Sequence, residues 1–225
     1  MLIPTMIVVW MQDFHSPLYI ASRVGEGERL FKMVKLRSMV VNADRSGVMS
    51  TSAADRRVTV VGRFIRRYKL DELTQLWNVL IGDMSLVGPR PNVKAETDLY
   101  TAVERELLNV KPGITDFASI IFSDEGEILK GQSDPDLAYN QLIRPWKSRL
   151  GLFYIEHRSL LVDFKLVFLT ALAVLDRSAA LRGVQSLLAE LGAAPELVYI
   201  AGRTEPLVPS VPPGATDVVR VRAAA

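Results

Sequence analysis

The 225-residue chain contains no cysteine. Disulfides, thiolate metal sites and cysteine nucleophiles are therefore excluded together. Histidine is scarce, with only His15 and His157, which argues against a histidine-built metal centre. Long apolar runs are also missing. A helix that spans a bilayer needs about 20 apolar residues. Leu2 to Met11 is half that and is broken by Pro4, and Ser159 to Leu175 carries Asp163 and Lys165. No basic leader or small-residue cleavage pattern marks a signal peptide. Chemistry must rest on carboxylates, arginines and lysines.

What is present is an apolar fraction of 49%, ample for a folded core. The net charge is only +2, but its layout is uneven. Residues 23–70 hold twelve Lys/Arg against four Asp/Glu, a local +8, and residues 71–145 hold six against thirteen, a local −7. The first block offers a cationic surface to phosphates, an anionic membrane face or nucleic acid. It lacks aromatic residues interleaved for base stacking, so nucleic acid is not expected as a partner. The Leu2–Met11 segment has two readings. It lies on or dips into one leaflet with Trp10 at the interface, or it is a buried helix of a soluble domain.

Pro17 to Met39 reads as a β-hairpin turning through residues 25–28, with Lys35 and Arg37 on one strand face. Asn42 to Ala54 reads as a loop. Arg56 to Tyr68 reads as a basic helix that clusters Arg63, Arg66 and Arg67. The clearest helix runs over 70–81. Leu70, Leu73, Leu76, Trp77, Leu80 and Ile81 form its expected core stripe, and Asp71, Gln75 and Asn78 its polar face. Two prolines and a glycine keep 85–91 from being helical throughout. Further helices are expected over 92–109, 124–144 and 159–175, and a short strand within 114–122. From Gly202 onward the composition suggests a loose tail. Trp77 and Trp146 read as packing residues, and His157 as a surface polar residue or a satisfied partner, not a ligand.

Asp71-Glu72 is the pair best placed for chemistry. In the first turn of a helix a carboxylate stays ionised, as a nucleophile must. The arginines upstream would screen its repulsion from a diphosphate. First-turn acids are also common for stability alone, so the pair by itself does not decide. Asp134-Pro135-Asp136 has the look of a metal-binding Asp-x-Asp, but fits a helix N-terminus better.

The string over residues 61–91, VGRFIRRYKLDELTQLWNVLIGDMSLVGPRP, resembles the signature of the bacterial sugar transferases, the monotopic phosphoglycosyl transferases. Arg23–Gly25, Lys35–Met39 and Lys111–Thr115 resemble flanking blocks in the same order. The resemblance covers about residues 16–175. It implies an α+β fold, mainly helical with a small hairpin or sheet, seated as a monotopic domain on the cytoplasmic face of the bacterial inner membrane. The chain then divides into a truncated membrane-associating segment (1–15), a catalytic domain (16–177) and a partly loose C-terminal extension (178–225).

The implied activity moves a sugar-1-phosphate from a UDP-sugar to a polyprenyl (undecaprenyl) phosphate. UMP is released through a covalent phosphosugar-aspartate, as the first membrane step of an exopolysaccharide or O-antigen-type glycan. By the same resemblance Asp71 is the nucleophile and Glu72 its partner, base or Mg2+ ligand. Lys35, Arg37, Arg66, Arg67 and Arg90 bind substrate. Three features depart from the family pattern. The family pattern opens with a longer hydrophobic helix that turns back at a Ser-Pro break, for which Ile3-Pro4 stands as the expected remnant. Lys69 stands where a capping Ser is common. Asp116-Phe117 replaces Gly-Trp. The alternatives are an inactive paralogue or membrane-associated scaffold, and an ordinary glycosyltransferase that would release UDP.

Overall fold

The computed structural model describes residues 2–46 and 50–220. The chain opens with α1 (Leu2–Met11). The hairpin follows as expected: β1 (Leu18–Val24) pairs antiparallel with β2 (Leu30–Leu36), from Leu18↔Leu36 to Val24↔Leu30. Of the anticipated loop over 42–54, residues 47–49 lie outside the described residues. The rest is docked, with Ser50 N donating to Asp136 Oδ1 at 2.7 Å and Ala53 N to the Gly126 carbonyl at 2.8 Å.

The basic helix is α2 (Val60–Arg67), N-capped by the Thr59 hydroxyl. It crosses the end of the hairpin so closely that a Cβ on Gly62 would lie 1.8 Å from the Ser38 carbonyl oxygen. Glycine there sets how near the α2 arginines come to β2. Val9, Leu36 and Ile65 form a small core joining α1, β2 and α2.

The helix expected over 70–81 is corrected in two ways. It is a 3-10 turn over Leu70–Gln75 continued by α3 (Leu76–Leu80), and its faces are reversed. Gln75 and Asn78 are buried at 1% and 0% exposure, while Trp77 and Leu80 are 58% and 77% exposed. The cause is the open edge of β2. Asn78 Oδ1 accepts from Val34 N at 3.0 Å and Asn78 Nδ2 donates to the Lys32 carbonyl at 2.8 Å. Thr74 Oγ1 donates to the Val34 carbonyl at 3.0 Å. The polar face does the work of a third strand, because buried backbone groups must find partners. The apolar stripe is left outward, Leu70 excepted, which packs on the small core.

Next come β3 (Ser85–Val87) and β4 (Gly113–Thr115), paired parallel through Ser85↔Gly113 and Val87↔Thr115. A Cβ on Gly113 would fall 2.1 Å from Gly88 N, so a glycine pair carries this crossing and fixes the exit of Pro89-Arg90. The single helix expected between them does not form. Its stretch holds α4 (Lys94–Thr97) and a 3-10 turn over Glu104–Asn109. Glu104 is fully buried, held by Arg144 Nε at 3.0 Å and Ser148 Oγ at 2.7 Å. These contacts pin the turn inward at Glu104.

After β4 come α5 (Phe117–Ile121), α6 (Glu125–Ile128) and α7 (Pro135–Ala138), then a π turn over Tyr139–Ile143. The chain continues through α8 (Arg144–His157), α9 (Leu160–Leu175), α10 (Arg177–Glu190) and α11 (Pro195–Gly202). Their buried faces make the main core, which runs from Phe117 and Trp146 through Leu166 to Leu188 and Ala201. The segment after 177 is thus folded into this core as far as Gly202. Residues beyond are held on it: Ser210 N donates to the Gln141 carbonyl at 2.9 Å, and Arg149 Nη2 to the Val211 carbonyl at 2.7 Å. Among the described residues no helix is long and apolar enough to cross a membrane.

Candidate active site

A cleft of about 600 Å³ opens between the hairpin, α2, the 70–75 turn, residues 90–96 and α6. Of the seven residues the sequence nominated, Lys35, Arg66, Arg67, Asp71, Glu72 and Arg90 line it. Arg37 does not. One residue past β2, it turns away and grips Asp13 through both guanidinium nitrogens at 2.6 Å, with Nε donating to the Ser16 carbonyl at 2.8 Å. The pairing with Arg37 holds the Asp13 carboxyl down at about 2. Arg37 therefore ties the end of α1 to β2, and the structure does not bring it to the cleft where the other six nominated residues meet.

Asp71 and Glu72 are adjacent, yet their surroundings differ. Glu72 Oε1 lies 2.8 Å from Arg90 Nη2. Burial alone would raise the Glu72 carboxyl, but the charges of Arg90, Lys69 and Lys35, with the Arg90 hydrogen bond, hold it at about 2. Glu72 in turn pushes the Arg90 guanidinium up. Asp71 makes no side-chain hydrogen bond or ion pair among the described residues. Burial is the largest influence and raises its carboxyl, opposed by Lys35, Arg90 and Arg66. Its turn is 3-10 and six residues long. The cations of Lys35, Arg90 and Arg66, more than a helix dipole, oppose the effect of burial on its carboxyl.

The basic side chains are themselves pressed by the fold. Burial and the nearby Arg90 bring the Lys35 ammonium down to about 8, and burial lowers Arg66 and Lys69. Lys69 was notable in the sequence only for what it replaces. It adopts left-handed backbone at φ 52°, makes no side-chain cap, and sends Nζ to within 3.3 Å of the Ser119 carbonyl. A non-glycine residue held there stores about 1–3 kcal/mol of strain, compatible with the site placing its ammonium beside Glu72. Arg66 Nε donates to Ser38 Oγ at 2.9 Å.

Several lining residues had gone unnominated: Arg23, Lys69, Glu96, Ser119, Glu125 and Lys147. Arg23 stood in a block already singled out. The others are brought in by turns that no periodicity announces. The Asp-x-Asp candidate is an N-cap: Asp134 Oδ1 accepts from Asp136 N and Leu137 N at 3.1 Å each, and Asp136 anchors Ser50. Asp116 closes a capping box with Ser119 and Phe117 is fully buried, so both serve the fold. Trp146 packs inside, whereas Trp77 lies outside, contrary to expectation. His157 stacks on Phe153 with centroids 4.1 Å apart.

The profile of the bacterial sugar transferases matches residues 1–177. The "UDP-galactose-lipid carrier transferase" of Erwinia amylovora is 33% identical over 198 residues, which cover 80% of this chain and 38% of that protein. The "Undecaprenyl-phosphate galactose phosphotransferase" of Salmonella typhimurium is 35% identical over 197 residues, 79% of this chain and 38% of its own. The "Exopolysaccharide production protein ExoY" of Sinorhizobium fredii is 34% identical over 182 residues, 74% of each chain. This chain spans about two fifths of the first two relatives. The match over residues 1–177 embraces the whole cleft-forming region, and the chain belongs to the bacterial sugar transferase family.

Proposed function

We propose that the chain is a phosphoglycosyl transferase that moves a sugar-1-phosphate from a UDP-sugar to a polyprenyl phosphate by way of Asp71. The observation that carries this reading is the unpartnered Asp71 carboxylate set among Lys35, Arg66 and Arg90. A free carboxylate ringed by cations is what an in-line attack on a diphosphate requires, since the cations offset the charge of both reactants. Relatives named as undecaprenyl-phosphate phosphotransferases support the lipid acceptor.

In the proposed sequence an Asp71 oxygen attacks the β-phosphorus. The bond from that phosphorus to the oxygen bridging it to the α-phosphate breaks, and UMP leaves. The phosphosugar stays on Asp71 as an acyl phosphate. An oxygen of the polyprenyl phosphate then attacks the same phosphorus and frees the carboxylate. Arg90, held by Glu72, and Lys35 face the transferring group. Lys69 and Arg66 complete the cationic wall.

Magnesium fits this donor set in one form. Among the described residues no group of three or more His, Asp or Glu could cage an ion. Asp71 and Glu72 suit the mode in which Mg2+ keeps its waters and shares one or two carboxylates with substrate phosphates. Bound there, it would neutralise charge on the phosphoryl oxygens.

A membrane-facing surface is part of the proposal. Apolar side chains stand outward on α1 (Ile3, Ile7, Trp10), α2 (Val60, Phe64), α3 (Trp77, Leu80) and α9 (Leu160, Phe164, Phe168). The inner stripe of α9, by contrast, packs in the core through Val162, Leu166 and Leu169. So much outward apolar area suits the headgroup boundary of the cytoplasmic leaflet, where a lipid phosphate would also be met.

The test is nucleotide release. Detergent-solubilised protein is incubated with magnesium, undecaprenyl phosphate and a panel of UDP-sugars. UMP that depends on lipid for turnover, together with a phosphohexose mass on Asp71 when lipid is withheld, is expected. UDP as product would point to an ordinary glycosyltransferase, and turnover by Asp71→Asn would overturn the mechanism.

A further inference from the structure

The cleft is electrically divided. Asp71 is influenced by Lys35, Glu72, Arg90 and Arg66. Glu96, on the same cleft, is influenced instead by Lys147, Glu125, Arg23 and Asp136. Arg90 stands between, since both Glu72 and Glu125 raise it. One end of the cavity is therefore cationic around the nucleophile. The other presents two carboxylates, from α4 and α6.

These two acids are not equivalent. Glu125 is ion-paired with Lys147, whose ammonium also sits 5.0 Å from the Tyr139 ring centre. Glu96 makes no side-chain hydrogen bond or ion pair among the described residues, although burial, reinforced by Glu125, lifts its carboxyl to about 7. Glu96 lines the cleft with no protein partner among the described residues, so its carboxyl is open to a hydrogen bond from a ligand. Lys147 offsets Glu125 and Arg23 acts on Glu96, so the pair offers hydrogen-bonding oxygens more than net charge. A neutral, hydroxyl-rich group suits it, because carboxylates accept O–H bonds and a protonated carboxyl also donates one.

We infer that Glu96 and Glu125 form a hydroxyl-recognising subsite for the non-phosphate part of a nucleotide sugar, with Lys147 positioning Glu125. This rests on the nucleotide-sugar reading of the cleft. The diphosphate lies at the cationic end, Arg90 marks the boundary, and ring hydroxyls of the hexose or the ribose reach the acidic end. The arrangement explains why one cavity holds eight basic residues (Arg23, Lys35, Arg63, Arg66, Arg67, Lys69, Arg90, Lys147) and still six acids (Asp71, Glu72, Glu96, Asp124, Glu125, Glu127).

Binding is measured by calorimetry on the solubilised full chain with magnesium, using UMP, UDP and a panel of UDP-hexoses. Wild type is compared with Glu96→Ala and Glu125→Ala. The affinity for at least one UDP-hexose is expected to fall about tenfold in each, the loss of a hydrogen bond to a charged group. Unchanged UMP affinity assigns the hexose hydroxyls, and a parallel fall for UMP assigns the ribose. If Glu96→Ala melts below wild type, the isosteric Glu96→Gln is read by the same titration. Losses under threefold for every ligand in both positions, or a wild-type chain that binds no UDP-hexose, would overturn the subsite. UMP release is followed in parallel. Donor binding through Glu96 without UMP release sinks the transfer reading and keeps the subsite. UMP release with wild-type binding in the variants does the reverse.

Discussion

Arg90 Nη2 lies 2.8 Å from Glu72 Oε1, while Asp71, one residue earlier, has no such tie among the described residues. The pairing separates the two acids by role. Glu72→Gln is expected to loosen Arg90 and lower kcat/KM for the donor by about 10²-fold while leaving some covalent labelling of Asp71. Asp71→Asn abolishes both labelling and turnover. Quenched single-turnover assays with mass detection of the labelled chain separate the two outcomes.

The same pair sets an acid limit on stability. The Glu72 carboxyl is held at about 2 against an ordinary 4.5. A depressed folded-state pKa contributes stability above the unfolded value and loses it as pH falls through the folded one. The window is therefore about pH 4.5 down to 2. Thermal melting followed across that range should decline more gently in Glu72→Gln than in wild type. Parallel curves would mean that the Arg90 pairing contributes nothing.

Lys35 predicts an alkaline limit on binding. Its ammonium titrates near 8, chiefly through burial, so its positive charge fades as pH rises through that value. Donor KM should then climb several-fold between about pH 7 and 9, and Lys35→Arg, whose charge persists, should flatten the rise. Initial-rate kinetics on both proteins across that range decide it.

Asn78 bears on how the hairpin is held. Asn78→Leu removes the partners of Val34 N and the Lys32 carbonyl and should cost about 2–4 kcal/mol, since buried backbone groups are left unpaired. Leu80→Gln, on the outward face of the same helix, should stay within about 0.5 kcal/mol of wild type. Denaturant unfolding of the two variants compares them directly. A period-based reading of 70–81 predicts the opposite order.

That reversal marks where the sequence is legible and where it is not. The hairpin, the basic helix and the Asp71-Glu72 focus follow from local pattern and motif. So does the gathering of Lys35, Arg66, Arg67 and Arg90, which the structure brings onto one cleft. The face of the 70–81 helix does not follow, because periodicity reports that a helix has two faces and not which one a strand edge will need. Arg37 was misplaced for a related reason. Strand alternation puts it beside Lys35, but β2 ends at Leu36 and Asp13 captures the next residue. Glu96, Glu125 and Lys147 are far apart in the chain and meet only through the turns around α4, α6 and α8.

The outward face of α9 gives the last prediction. Phe164 is 73% exposed and one turn from Phe168, while Leu166 between them is fully buried in the main core. Because the exposed stripe contributes little to the fold, Phe164→Glu with Phe168→Glu should leave the melting temperature within a few degrees of wild type. Vesicles containing anionic lipid should nevertheless retain markedly less of the double variant in co-sedimentation, as two charged groups replace apolar rings at the headgroup boundary. UMP release from a soluble, short-chain lipid acceptor should be preserved, whereas release from a vesicle-borne acceptor falls. Equal sedimentation of both proteins would remove α9 from the proposed membrane-facing surface.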